Sequence, residues 1–390
     1  MENLPQTIDN PGSYKCHIAG TFGTFMYDSL GKYDDFYFFS PDETSSNRMT
    51  QVYDTDNRAW VREIKAWDKN LAPDGHIIEM LSENTLFAVL AGHILSGGRG
   101  AMTSYEAFLP IISSQLDQHL KFLKQSLEVD WRPDYEPLHI LSTSCWERQD
   151  HNGYTHQNPG LISSVLKNPS NLVNCYFPVD DVAATAIWNK MESTKNVVNL
   201  TTFNKNPQPR WIDINHAKYQ LENGGASIFG FASDDAPWVV VASCGDLMTE
   251  EAIEGIKLAK EAYPELRVRL VNIAALSHGA IGTTDNKMSQ ETFDELFGNW
   301  PVVVNFHGYA DAMRAIISNY ADARRFHIHG YEDEGSTTTP LDELARNRCS
   351  RWDIAADLLD ICDRSALADN MIAKKIKNAE YAKIYGVDNR

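Results

Sequence analysis

Short runs of apolar, β-forming residues alternate with helical patterns along most of this 390-residue chain. Such alternation is typical of mainly parallel sheets whose faces are covered by helices. In the first half, the predicted strands are residues 35–40, 76–81, 138–143, 171–177 and 196–203. In the second half, they are residues 237–245, 266–273, 300–308 and 325–331. The pattern therefore predicts an α/β fold.

Helical periodicity fills the intervals between these strands. Apolar residues recur every three or four positions from Phe108 to Leu127, which predicts one long amphipathic helix over residues 106–128. Further helices are expected after Gly160, through residues 180–191 and through residues 249–263. The chain also ends in helical patterns.

A chain of this length suggests two domains, each large enough to bury its own core. The polar stretch at residues 206–226 contains proline and paired glycines, so we place the domain boundary within it. The sequence predicts a linker-like extension at 1–25, a first domain at 26–215 and a second at 216–390. Each domain is expected to hold a mainly parallel sheet flanked by helices.

Charge and composition exclude several classes of partner. The chain has 35 Lys and Arg against 53 Asp and Glu, a net charge of −18. This excess argues against nucleic acid or an anionic membrane as a partner, and an anionic ligand would need a few local cations. The six cysteines are scattered without metal-binding spacing, so we expect reduced thiols and no metal site. With no signal-like or membrane-spanning apolar run, a cytoplasmic location is expected.

The segment least able to build a core is RQDHNGYTHQNPG, residues 148–160, which is called the polar loop below. It follows the predicted strand 138–143 and has no apolar face. His151 and His156 are five positions apart, which does not suit a helical metal pair, and no third ligand is obvious. Proton-carrying groups in a strand-end loop favour a catalytic role over a structural one.

Three further motifs each allow two interpretations. Glu83 precedes an apolar helix, as either an exposed helix-start carboxylate or a buried one that exchanges a proton with a ligand. Tyr105 and Phe108 lie about one helical turn apart and form either a core pair or a ring-stacking platform. Ser46 and Arg48 follow a predicted strand, in either a capped turn or an anion site.

Taken in order, these segments resemble the phosphoketolases, which are thiamine diphosphate enzymes related to transketolase. The matching segments are PDETSSNR, MLSEN, SYEAF, RQDHNGYTHQNPG, FNKNPQPRW, FHGY and GYEDEGSTTTPLD. The resemblance covers essentially the whole chain, but only the pyrimidine-binding and C-terminal domains of the family. It therefore implies either one component of a split enzyme, within a hetero-oligomer that has a dimeric core, or a fragment of a longer chain. The partner subunit would carry the site for the cofactor's diphosphate and Mg²⁺.

The resemblance also implies roles for individual residues. Glu83 would share a proton with a ring nitrogen of the cofactor's pyrimidine, and Tyr105 and Phe108 would lie against that ring. The residues implied to line the substrate channel and exchange protons with the sugar are Gln149, His151, Asn152 and His156. Those implied to bind the sugar phosphate or inorganic phosphate are Ser46, Arg48 and Lys205.

The expected reaction cleaves a ketose phosphate and forms acetyl phosphate and a shortened aldose. The alternatives are transfer of the two-carbon unit to an aldehyde, as in transketolase, and a non-catalytic regulatory subunit. Some positions depart from the family pattern. Asn84 replaces the histidine of S-E-H, Gly97–Gly100 differ from G-R-H-G, and an early histidine is missing before the polar loop. Cofactor binding is thus better supported than the exact substrate.

Overall fold

The structure is a computed structural model that describes residues 4–149, 152–333 and 337–385. The strands are β1 (Lys15–Cys16), β2 (Phe36–Ser40), β3 (Arg58–Ala59), β4 (Leu71–Ala72), β5 (Ile77–Glu79), β6 (Arg99–Tyr105), β7 (Leu138–Thr143), β8 (Val173–Tyr176), β9 (Val198–Thr202), β10 (Gln208–Pro209), β11 (Ala226–Ile228), β12 (Val239–Cys244), β13 (Val268–Ile273), β14 (Ala275–Ser277), β15 (Ala280–Thr283), β16 (Asn286–Lys287), β17 (Val302–Phe306) and β18 (Phe326–His329). The helices are α1 (Ile18–Lys32), α2 (Glu83–Leu95), α3 (Ser113–Ser126), α4 (Gly160–Lys167), α5 (Asp181–Glu192), α6 (Ile214–Glu222), α7 (Asp246–Ala262), α8 (Gln290–Phe297), α9 (Ala310–Ile317), α10 (Pro340–Arg346), α11 (Arg351–Ile361) and α12 (Ser365–Tyr385).

The larger sheet runs in the order β16-β15-β14-β8-β9-β7-β6-β2-β5-β3-β4. From β8 to β4 all neighbouring strands are parallel, whereas β14, β15 and β16 join antiparallel at one edge. Every residue of β7 is buried. Continuous burial is expected for a parallel strand that helices cover on both faces, because neither face meets water.

The smaller sheet runs in the order β11-β13-β12-β17-β18. Its strands β13, β12, β17 and β18 are parallel, and β11 pairs antiparallel with β13. The predicted α/β fold with mainly parallel sheets is confirmed. The larger sheet also takes in β14–β16 from the second half of the chain, and β14 pairs directly with β8.

Helices cover the sheets on both sides and close two large apolar clusters. One cluster includes side chains from α1, α5, α6, α7, α11 and α12, and the other includes side chains from α2, α3, α4, α8 and α9. All six cysteines are free thiols. Across the described ranges, no helix combines the length and the apolar character needed to cross a membrane.

One local prediction was wrong. The single helix expected over 106–128 is a 3₁₀ segment at Glu106–Ile112 followed by α3, because Pro110 has no N–H to donate to an α-helical carbonyl. Helix α1 begins within the predicted extension at 1–25, and its Phe22 and Phe25 are buried. The division into domains at 26–215 and 216–390 stays a prediction.

Candidate active site

The candidate site residues lie beyond the carboxyl ends of parallel strands in the larger sheet. Strand β2 leads into the loop at residues 41–49, β5 leads to the start of α2, and β6 ends at Tyr105. Strand β7 leads to the polar loop and β9 leads to Lys205. Carboxyl ends of parallel strands meet at one edge, which is where open α/β sheets bind ligands.

The loop at residues 41–49 is anchored to this edge by Asn47. The Asn47 Oδ1 atom accepts hydrogen bonds from Thr143 Oγ1 at 2.6 Å and from Ser144 Oγ at 3.3 Å. Ser46 Oγ donates to the Glu43 carbonyl at 3.0 Å. The side chains of Ser46 and Arg48 are exposed, so they lie at the rim and not inside the site.

Two carboxylates come together at this edge. Glu83 is the first residue of α2 and is only 9% exposed, so it is a buried carboxylate, and its proton exchange with a ligand stays a prediction. Glu43 is 8% exposed, and its Oε2 atom accepts a hydrogen bond from the Tyr105 N–H at 2.8 Å. Burial raises the pKa of Glu43 to about 8, and the nearby charge of Glu83 adds to the rise, while the Tyr105 N–H and Lys205 oppose it. Glu43 is therefore protonated near neutral pH.

An aromatic wall stands beside these carboxylates. The rings of Tyr105 and Phe108 are stacked, with centroids 6.2 Å apart and planes 11° from parallel. The His156 ring lies 5.1 Å from Phe108 and 6.0 Å from Tyr105. Lys205 places its Nζ atom 4.6 Å from the centroid of the Tyr105 ring. The structure thus brings a cation, a histidine and two flat rings to one place.

The polar loop contributes a buried amide to the same region. Gln149 is fully buried, and its Oε1 atom accepts a hydrogen bond from Asn152 Nδ2 at 2.8 Å. Its Nε2 atom has no hydrogen-bond partner among the residues that the structure describes. A buried donor without a partner is costly, and a ligand oxygen would satisfy it. His151 lies outside the described residues.

A segment of the second half packs against the polar loop. Gly153 has a φ of +64°, and a Cβ atom there would collide with the Thr337 side chain. Tyr331 OH donates to the Gln157 carbonyl at 3.1 Å. The backbone at Gly153 therefore allows the threonine-rich segment before α10 to approach the loop closely.

Lys205 is positioned by a buried polar network. Asn204 Nδ2 donates to Glu147 Oε1 and to Asp246 Oδ1, both at 3.0 Å, and the Asn204 N–H donates to Asp246 Oδ2 at 2.7 Å. Gln208 Nε2 donates to Asp246 Oδ2 at 2.5 Å. The backbone on both sides of Lys205 is held while its side chain reaches Tyr105.

Beneath the polar loop, His307 lies between two buried glutamates. Its Nε2 atom is 2.5 Å from Glu106 Oε1, and its Nδ1 atom is 3.3 Å from Glu147 Oε1. Burial alone would lower the pKa of His307, but the two carboxylates outweigh it and raise that pKa well above its ordinary value. Trp146 Nε1 donates to the His307 carbonyl at 2.8 Å. These contacts tie the polar loop to the end of β17.

Motif reasoning missed Glu43 and the glutamates around His307. Glu43 belongs to the same PDETSSNR motif as Ser46 and Arg48, and Glu106 directly follows Tyr105. The available signal for Glu43 was a carboxylate just after the strand predicted at residues 35–40. Their partners are distant in sequence, so spacing along the chain could not reveal the pairs.

Solved structures with a similar fold are transketolases. The transketolase of Pichia stipitis in complex with sedoheptulose-7-phosphate has a TM-score of 0.70 and 12% identity, over 94% of this chain and 48% of that one. A split gene transketolase, described as an inactive beta4 tetramer, has a TM-score of 0.58 and 14% identity, over 92% of this chain and 99% of that one. At such identities the likeness shows the fold alone.

Two family models and the curated relatives all indicate the same protein family. Residues 21–193 match the model of D-xylulose 5-phosphate/D-fructose 6-phosphate phosphoketolase, and residues 205–390 match that of its C-terminal domain. A probable phosphoketolase of Nitrosomonas europaea is 34% identical over 98% of this chain and 50% of its own length. One of Rhodopseudomonas palustris is 36% identical over 90% of this chain and 46% of its own. The chain thus spans about half the length of these relatives, and it belongs to the phosphoketolase family.

Proposed function

We propose that this chain supplies the pyrimidine-binding and C-terminal domains of a thiamine diphosphate-dependent phosphoketolase. The observation that carries the proposal is the gathering of Glu43, Glu83, the stacked Tyr105 and Phe108, and Lys205 at one sheet edge. A flat heterocycle that must gain and lose a proton needs such a combination of buried carboxyl groups and aromatic faces. The curated relatives, described as probable phosphoketolases, support the same activity.

The described residues fit the pyrimidine half of the cofactor. When bound, thiamine diphosphate supplies a nucleophilic carbon that can carry the two-carbon fragment of the sugar. Glu83, only 9% exposed, would hold a proton at a pyrimidine ring nitrogen. Tyr105 and Phe108 would contribute the apolar faces around that ring. Glu43, with its raised pKa, would keep a second proton available beside Glu83.

The polar loop would serve the sugar. Gln149 Nε2, which has no hydrogen-bond partner among the described residues, would donate to a sugar oxygen. Asn152 would orient Gln149 through their 2.8 Å hydrogen bond. His156, beside Phe108, would exchange a proton with a sugar hydroxyl, and His151 is assigned the same task from the family resemblance.

Phosphate recognition would fall to the cations at the rim. Lys205 is half-buried and fixed by its neighbours, so it would contact a phosphate close to the reaction centre. Ser46 and Arg48 are exposed on the loop that carries Glu43 and would bind the outer part of the sugar phosphate. These groups supply the local cations that an anionic ligand needs on a chain with a net charge of −18.

The remaining half of the enzyme would come from a partner subunit that holds the cofactor's diphosphate and Mg²⁺. The fold of this chain covers 99% of the chain of a split gene transketolase, which supports a hetero-oligomer. In it, this chain and its partner would cleave a ketose phosphate with inorganic phosphate, giving acetyl phosphate, a shortened aldose and water.

An assay with hydroxylamine tests this function. The chain is combined with its partner subunit, thiamine diphosphate, Mg²⁺, phosphate and either fructose 6-phosphate or xylulose 5-phosphate. Hydroxylamine converts acetyl phosphate to a hydroxamate, which gives a coloured complex with Fe³⁺ and which we expect with the wild-type chain and not with Glu83→Gln. If no hydroxamate forms but added ribose 5-phosphate is extended by two carbons, the enzyme is a transketolase and the proposal is wrong.

A further inference from the structure

Three possible metal ligands from distant parts of the sequence meet below the polar loop. They are a carboxylate oxygen of Glu106, the Cys145 thiol sulfur and a ring nitrogen of His307, and these atoms all lie within 4.8 Å of one another. All three side chains are buried. Glu106 comes from the 3₁₀ segment after β6, Cys145 from the turn after β7, and His307 from the end of β17. Because the ligands are so far apart in the chain, their spacing resembles no metal motif.

A fourth residue completes the surroundings of this cluster. Glu147 Oε1 lies 3.3 Å from His307 Nδ1, on the opposite side of the ring from Glu106. The other oxygen of Glu147 and the Oδ1 atom of Asn204 are buried, and neither has a hydrogen-bond partner within the described part of the chain. Buried acceptors in folded proteins are usually satisfied by a protein group, an ordered water or an ion.

The three ligand types together suit one divalent ion. Zn²⁺ is commonly held by thiolate, imidazole and carboxylate together, at about 2.0–2.3 Å from each ligand atom. An ion bound by all three would replace the 2.5 Å contact between His307 Nε2 and Glu106 Oε1.

We propose that Glu106, Cys145 and His307 bind one Zn²⁺ ion, with Glu147 as the outer hydrogen-bond acceptor that orients His307. Histidine ligands usually donate their second N–H to a carboxylate in this way. The ion would join the end of β6, the start of the polar loop and the end of β17. It does not touch the proposed pyrimidine contacts, so the inference does not depend on the phosphoketolase activity.

Metal content of the purified full chain gives the first test. The chain is incubated with Zn²⁺, passed through buffer that contains a weak chelator, and analysed by inductively coupled plasma mass spectrometry. We expect about one zinc per wild-type chain and at least a tenfold loss of retained zinc in Cys145→Ala. Cys175→Ala is the matched control, since Cys175 is equally buried but lies outside the cluster. Equal zinc in wild type and Cys145→Ala would overturn the proposal, as would a wild-type chain that retains none.

Cobalt substitution provides a second test that needs no variant to fold. Co²⁺ added to the metal-free wild-type chain should give the visible bands of tetrahedral cobalt and a near-ultraviolet charge-transfer band from the thiolate. A spectrum of octahedral Co²⁺ without the thiolate band would contradict the ligand set. Glu147→Gln should keep the spectrum but weaken metal affinity roughly 10- to 100-fold, because it alters only the orienting contact.

Discussion

The molecule contains two groups of buried glutamates, one at the sheet edge and one around His307, and they differ in the charge of their neighbours. At the sheet edge, Glu43 is buried beside Glu83, and the effect of burial raises the pKa of Glu43 to about 8. Beneath the polar loop, burial would also raise the pKa of Glu147, but His307 more than compensates and the pKa is lowered. The pKa of Glu106, in contact with the same His307, is nevertheless raised by burial, so a nearby cation can outweigh burial without always doing so. The first group suits proton exchange and the second suits fixed structure.

The largest expected effect is the loss of turnover in Glu83→Gln. If the edge carboxylates exchange protons, this variant should lose roughly 10²- to 10⁴-fold in kcat, because a glutamine cannot shuttle a proton. Steady-state hydroxamate assays with the partner subunit measure the change. Glu128→Gln, which alters an exposed glutamate, should keep wild-type activity. Nearly full activity in Glu83→Gln would contradict proton exchange by the carboxylates at the sheet edge.

Replacing His307, the cation of the second group, should lower the free energy of unfolding. In His307→Gln two buried carboxylates lose their shared partner, which we expect to cost about 3–5 kcal/mol in the free energy of unfolding. Urea denaturation of the metal-free protein, monitored by circular dichroism, measures this loss of stability. His327→Gln serves as the control because His327 is 51% exposed, and it should change stability by less than about 0.5 kcal/mol. A similarly small effect in His307→Gln would show that the two carboxylates do not depend on it.

The pH dependence of stability tests the raised pKa of Glu43 in the first group. The folded-state pKa of Glu43 lies above its ordinary value of 4.5, so folding favours the protonated form. Its contribution to stability is therefore complete below about pH 4.5 and is lost as pH rises towards about 8, with a slope of at most about 1.4 kcal/mol per pH unit. Glu43→Gln should remove that slope. Urea unfolding of both proteins at several pH values within this window tests it, and parallel curves would contradict the shifted pKa.

The sequence pattern was enough to predict the parts of the molecule that depend on local chemistry. The apolar run VVVASC forms the fully buried β12, and the helix expected through residues 180–191 is α5. Family resemblance also singled out Tyr105 and Lys205, and the structure places Lys205 Nζ 4.6 Å from the centroid of the Tyr105 ring.

What could not be predicted depends on contacts between distant segments. Nothing near Glu43 indicates that the Tyr105 N–H will be its hydrogen-bond donor, 62 residues away. Glu106 and His307 are 201 residues apart and meet only because β6 and β17 end close together. The sequence contains Pro110, but the apolar periodicity that continues through α3 predicted one helix on both sides of it. Burial and pKa follow from such three-dimensional neighbours.

The smallest expected effect concerns Gln149, the second residue of the polar loop. Its buried Nε2 atom lacks a hydrogen-bond partner among the described residues, which lowers stability unless a ligand accepts from it. Gln149→Met keeps the length of the side chain but removes both the unsatisfied donor and the acceptor of the Asn152 hydrogen bond, so stability should change by less than about 1 kcal/mol. If the amide donates to the sugar, KM should rise about tenfold, since one hydrogen bond is worth about 1.4 kcal/mol. Thermal unfolding and steady-state kinetics measure the two effects, and a folded variant with unchanged KM and kcat would mean that this buried amide does not contact the substrate.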